Sequence, residues 1–274
     1  MKHFATIILL MLAASVTKAA KVDTIAVKSQ AMGKDVKVVY VVPDKAMGKK
    51  AVSCPVIYLL HGYSGNEQDW ISHKTELPEI ADERGIIFVC PDGKNSWYWD
   101  SPLNPRYRYE TFISSELVTY TDSHYATIAK REGRAITGLS MGGHGALWNA
   151  IRHADVFGAA GSMSGGVDIR PFPLNWEMKK QIGEMAANKA VWDSHTVTNQ
   201  ISKLKNGQLA ITIDCGEDDF FLEVNKTLHQ RLLGAGIDHD FTTRPGAHTW
   251  EYWVNSLDFH ILFFAKYFKQ HIGK

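Results

Sequence analysis

Six short apolar runs alternate with helix-like stretches along this chain, and that alternation limits the fold more than any other feature. The runs cover 36–42, 55–60, 86–90, 135–137, 158–163 and 209–213. Runs without polar interruption are buried on both faces, as parallel strands are. Segments 69–84, 110–130, 142–153, 222–233 and 250–269 have helical character. The pattern predicts an α/β fold: a doubly wound, mostly parallel sheet with helices on both faces and right-handed crossovers. Segment 165–207 breaks the rhythm. It is polar, carries Pro171, Pro173, Trp176 and Trp192, and reads as an insertion over the C-terminal edge of the sheet. Open α/β sheets bind ligands at that edge. The chain's 274 residues suffice for one large domain, expected over residues 21–274.

Residues 1–20 form a separate object. Met1-Lys2-His3 is a short basic start, Phe4 to Ala14 is nearly all apolar, and Val16-Thr17-Lys18-Ala19-Ala20 offers small residues for cleavage. The apolar run is too short to span a membrane, so the segment reads as a secretory signal peptide. A periplasmic or secreted protein without a stable membrane anchor is expected. A formal net charge of +1 gives no electrostatic case for nucleic acid as a partner. Three cysteines, Cys54, Cys90 and Cys215, cannot all pair internally. Cys90 and Cys215 sit in apolar runs and read as buried free thiols. No spacing suggests a metal site.

The run at 135–137 leads into Gly138-Leu139-Ser140-Met141-Gly142-Gly143. A strand entering Gly-x-Ser-x-Gly and leaving as a helix puts the serine at the apex of a sharp turn, with its hydroxyl beyond the sheet edge. The pentapeptide alone arises by chance in roughly one chain in ten of this length, so its partners must be found. A serine hydroxyl needs a base, and the base needs a carboxylate. In a sheet enzyme with such a turn the order along the chain is serine, acid, histidine. Among the late histidines, His229 and His260 lie in helical stretches, His271 in the tail and His239 at the start of a strand-like run, 238–243. His248 alone lies in a loop between that run and the last helix, in Arg244-Pro245-Gly246-Ala247-His248. The acid belongs in the turn Gly216-Glu217-Asp218-Asp219-Phe220. Asp219, the third residue past Gly216, is favoured over Asp218. Attack on a carbonyl also needs two N–H groups facing the oxyanion. Met141, at a helix N-terminus, supplies one. The loop His61-Gly62-Tyr63-Ser64-Gly65 supplies the other, from Tyr63 first and Gly62 second.

These residues resemble the putative esterase family of the α/β-hydrolases, over roughly 36–268. The resemblance rests on Leu59-Leu60-His61-Gly62-Tyr63-Ser64-Gly65 with Trp70, on Gly138 to Gly143, on Cys215-Gly216-Glu217-Asp218-Asp219-Phe220 with Asn225, and on His248-Thr249-Trp250. Ser96-Trp97-Tyr98-Trp99-Asp100-Ser101-Pro102 and Tyr109-Glu110-Thr111-Phe112 add to it. That family includes feruloyl esterases, tributyrin esterases, S-formylglutathione hydrolases and mycolyltransferases. The resemblance implies an α/β-hydrolase fold, Ser140 as nucleophile, His248 as base, Asp219 as acid, and no cofactor or metal. Combined with export, it points to acetyl or feruloyl esters linked to carbohydrate, a small-molecule or polysaccharide substrate. Trp97 and Trp176 are expected to contact it, because flat apolar rings stack on sugars and aromatic acids. Three rivals share these residues: an acyltransferase to a sugar hydroxyl, an S-formylglutathione hydrolase-like thioesterase, and a non-catalytic carbohydrate-binding relative. The export signal disfavours the glutathione thioesterase, which is cytosolic, and intact Ser140, His248 and Asp219 disfavour the last.

Overall fold

A computed structural model describes residues 20–272; the expected signal peptide lies outside the described residues except for Ala20. Among the described residues, eight strands form one sheet: β1 Lys21–Ser29, β2 Lys34–Val42, β3 Val56–Leu60, β4 Ile87–Pro91, β5 Arg134–Gly138, β6 Ala159–Met163, β7 Ala210–Gly216 and β8 Asp240–Arg244. Their order is β1-β2-β4-β3-β5-β6-β7-β8. β1 and β2 run antiparallel, as do β2 and β4, and every later pair is parallel. The mostly parallel, doubly wound sheet expected from the apolar runs is therefore present.

Alternation within the strands divides the core in two. Ile57 and Leu59 of β3 face a layer made with Trp70, Leu77, Leu257 and Phe264. Val56, Tyr58 and Leu60 face the other layer, with Phe112, Leu147 and Trp148. Both sets are fully buried, which is why β3 reads as an unbroken apolar run. The C-terminal helix Trp250–His271 covers the first face and the helix Met141–Arg152 the second.

The structure adds to and corrects several expected elements. β1 has no counterpart in the sequence reading. Among the described residues it pairs with β2 alone, and along it only Val27 and Ser29 are buried, so its apolar signal is weak. The helix expected over 69–84 is two helices, Asp69–His73 and Leu77–Arg84. Pro78 has no N–H to continue the first, and its ring would strike the carbonyl four residues back. The stretch expected at 110–130 ends at His124 and contains a π-helical turn, Phe112–Glu116. The residues after it pair with Cys54 instead, through Cys54 N–H to Ala126 O and Ile128 N–H to Cys54 O, both 2.9 Å. All three cysteines are free and buried.

Glu110 ties that helical stretch to the helix that follows Ser140. Its buried carboxylate accepts from Trp148 Nε1 at 2.9 Å, Arg152 Nε at 2.7 Å and His153 Nε2 at 2.9 Å. Burial pushes its pKa up, but the bonds from His153, Arg152 and Trp148 outweigh burial and hold it at about 2, against an ordinary 4.5. Such a group stabilises the fold fully above its unfolded pKa and loses that contribution as pH falls through its folded one. Glu110→Gln is therefore expected to cost about 3 kcal/mol near neutrality, at 1.36 kcal/mol per unit. The gap between variant and parent in urea unfolding should narrow as pH falls from 4.5 toward about 2. Parallel curves over that range would mean the carboxylate is not the source of the stability.

Candidate active site

The turn between β5 and the helix Met141–Arg152 holds Ser140 at φ 53°, ψ −115°, a conformation few side-chain-bearing residues adopt. The flanking glycines make it sterically possible. A Cβ on Gly142 would lie 2.4 Å from Leu60 O and 2.6 Å from His61 O; one on Gly138 would lie 2.6 Å from Leu60 O. The turn therefore presses backbone to backbone against the end of β3. Ser140 N–H donates to Met163 O at 2.9 Å and Gly166 N–H donates to Ser140 O at 3.2 Å, which fixes the apex against β6 and the chain beyond it.

The acid turn and the histidine loop lie at the ends of the paired strands β7 and β8. Gly216 lets them meet: a Cβ there would lie 2.3 Å from Gly246 O. Glu217 N–H donates to Arg244 O and Asp218 N–H to Gly246 O, each at 2.9 Å. With the loops locked together, His248 reaches both partners. Its Nδ1–H donates to Asp219 Oδ2 at 2.8 Å, and its Nε2 accepts from Ser140 Oγ at 2.9 Å. The tautomer follows from Asp219, because a carboxylate only accepts. Asp219 Oδ1 accepts Phe221 N–H at 2.8 Å, and the side chain is wholly shielded from solvent. Asp218 is exposed. A hydroxyl held this way can hand its proton to the imidazole as it attacks, and the buried carboxylate steadies the resulting cation.

Among the described residues, no protein acceptor takes the N–H of Gly62, Tyr63 or Met141. His61 holds the first loop in place: Gly93 N–H donates to its Nε2 at 2.8 Å, leaving Nδ1–H to donate to Gly62 O at 2.7 Å. Tyr98 OH donates to His61 O at 3.1 Å from beneath.

A cleft of about 170 Å³ opens over Ser140, walled by Gly62, Tyr63, Asp69, Leu139, Trp176, Phe220, His248, Trp250 and Trp253. A larger depression of about 320 Å³, between Arg131, His239 and His271, lies where β6 and β7 begin, away from Ser140. Trp176, from the insertion, lines the cleft. Trp97 does not, and the expectation of a substrate contact is corrected. It is 1% exposed, stacked on Trp99 with centroids 5.6 Å apart and edge-on to His144 at 5.2 Å. Positive φ at Trp97 and Tyr98 turns this loop inward. Trp99 Nε1–H donates to His144 Nε2 at 2.8 Å, and burial pushes the His144 pKa down to about 3, so that imidazole stays neutral. Trp97 backs Trp176, 6.0 Å away, from beneath.

Asp69, Leu139, Phe220, Trp250 and Trp253 line the cleft without having been expected as site residues from the sequence. Phe220 and Trp250 each lie within two residues of an expected site residue, and that proximity was the available signal. Phe220 packs 4.3 Å from the His248 ring and stacks on Trp176 at 5.8 Å. Among the described residues, no group of three or more His, Cys, Asp and Glu is placed to hold a metal ion.

A model of the family described as Putative esterase matches residues 29–264. An acetyl esterase of Caldicellulosiruptor saccharolyticus is 29% identical over 227 residues, covering 77% of this chain and 84% of the relative. An S-formylglutathione hydrolase of Mus musculus is 27% identical over 219 residues, 72% of this chain and 74% of that one. The solved structure of a ferulic acid esterase superposes with a TM-score of 0.79 at 28% identity, covering 91% of this chain and 98% of that one.

Proposed function

This chain belongs to the putative esterase family and is a serine esterase of α/β-hydrolase fold; on that premise we propose that it is exported and strips acetyl or feruloyl groups from carbohydrate through an acyl-Ser140 intermediate. The relay from Ser140 Oγ through His248 to Asp219, at 2.9 and 2.8 Å, carries this reading. His248 Nε2 takes the Ser140 proton as Oγ attacks the acyl carbonyl. The N–H groups of Met141 and Tyr63 receive the oxyanion, each contributing about 3 kcal/mol to the transition state. The alcohol leaves with the proton from His248, and water then cleaves the acyl-enzyme by the reverse proton path.

Two further observations support the finer reading. Residues 1–20 have the pattern of a signal peptide. Relatives of this length bear the names acetyl esterase and ferulic acid esterase. The decisive experiment is kinetics on acetyl, butyryl and feruloyl esters beside acetylated and feruloylated xylan, with N-terminal mass analysis of the protein recovered outside the cytoplasm. Release of acetate or ferulate from xylan by a chain shortened by about 20 residues is expected. Turnover of simple esters with none from xylan would reject the carbohydrate substrate. An intact N-terminus on cytoplasmic protein would reject export.

A further inference from the structure

Asp69 lines the cleft, yet the proposed reaction does not use it. It begins the short helix Asp69–His73, directly before Trp70. The Trp70 indole N–H donates to Leu60 O at 3.0 Å and fastens that helix to the end of β3. The Asp69 carboxylate consequently stands beside the oxyanion loop, where a Cβ on Gly65 would lie 2.1 Å from Oδ2. Its backbone carbonyl accepts from His73 Nδ1 at 2.9 Å. Among the described residues, no N–H or O–H is bonded to the carboxylate itself.

The same His73 links Asp69 to Trp250. Its ring lies parallel to the Trp250 indole, centroids 3.8 Å apart at 5°. Trp70 and Trp253 meet that indole edge-on at 5.2 and 5.5 Å. Trp250 is thus a half-buried, immobilised ring lining the cleft beside an unengaged carboxylate. Beside the second aromatic pair of the cleft, Trp176 and Phe220, the carboxylate of Glu177 is already engaged by Lys180.

The two halves of an ester make different demands on such a cleft. A sugar alcohol carries several hydroxyl donors and a face of C–H bonds. It needs a strong acceptor and a flat apolar surface, and a carboxylate beside an indole supplies both. An acetyl group needs neither. We infer that Asp69 and Trp250 form the subsite for the leaving alcohol, and that it takes a neutral sugar whose hydroxyls donate to the Asp69 carboxylate. The inference rests on the reading of Ser140 as an esterase nucleophile.

The test holds the acyl group constant and changes only the alcohol, comparing an acetylated methyl xyloside, ethyl acetate and acetylcholine. The parent enzyme is expected to prefer the xyloside. Asp69→Ala should cut the xyloside-to-ethyl acetate ratio of kcat/KM by about tenfold, with the loss in KM, as for an interaction present throughout binding and reaction. Asp69→Asn keeps one acceptor and the side-chain shape, and should lose less. An unchanged ratio in Asp69→Ala, or an equal fall on both esters, would overturn the subsite while leaving the esterase reading intact. A parent preference for acetylcholine would overturn it in favour of a cationic alcohol. Absence of any Ser140-dependent turnover would strike the nucleophile reading itself.

Discussion

Ser140→Ala is expected to lower kcat on p-nitrophenyl acetate by roughly 10⁶-fold while leaving the fold intact. The size follows from the chemistry. Without Oγ no acyl-enzyme forms, and what remains is whatever the oxyanion donors contribute to attack by water, about 10³-fold over solution. The stability cost is small because Oγ has one partner, the half-buried His248, at 2.9 Å. Alanine inherits the same φ of 53°, so the backbone strain at the turn is unchanged. The check pairs steady-state kinetics with a thermal melt, and adds a fluorophosphonate probe that should label the parent at Ser140 and leave the variant unlabelled. A folded variant with parental turnover would place the nucleophile elsewhere.

The second large effect is expected from Asp219→Asn, a loss of about 10⁴-fold in kcat. Phe221 N–H donates to Oδ1 at 2.8 Å, so an asparagine would keep its carbonyl there and turn its NH₂ toward His248. That amide must donate to Nδ1, which forces the proton onto Nε2. An imidazole with Nε2–H cannot accept from the Ser140 hydroxyl. Asp218→Asn is the matched control. Its side chain is exposed and its backbone N–H, which bonds Gly246 O, is untouched, so activity within about twofold of the parent is expected. Comparing kcat for the two variants on one ester is sufficient. A crippled Asp218→Asn beside an active Asp219→Asn would reverse the assignment of the acid.

The fold was legible where strands are buried on both faces. β3 to β7 each show as an apolar run because helices cover both sides, whereas β1, an edge strand paired on one side, barely registers. The spacing around Ser140 was legible because steric contact dictates it: Gly138 and Gly142 meet the β3 backbone at distances that exclude a Cβ. Aromatic residues behaved differently. Trp97 and Trp176 both stand in stretches that read as loops. One is sealed under the insertion and the other lines the cleft. Local sequence does not encode which way a loop's rings turn, since the groups that receive them, His144 and Phe220 here, are distant along the chain.

The alternation of strands and helices, the apex serine and the chain order of serine, acid and histidine follow from the sequence by itself, because burial periodicity and backbone sterics are local constraints; the order of the strands in the sheet does not. The tertiary structure decided what depends on separate loops meeting. It set Asp219 rather than Asp218 against His248, through contact of the Gly216 turn with Gly246. It also brought Asp69 and Trp250, 181 positions apart, to one wall of the cleft by way of His73. A carboxylate and an indole acquire a shared role only when packing brings them together, and that packing is distributed over the whole sheet.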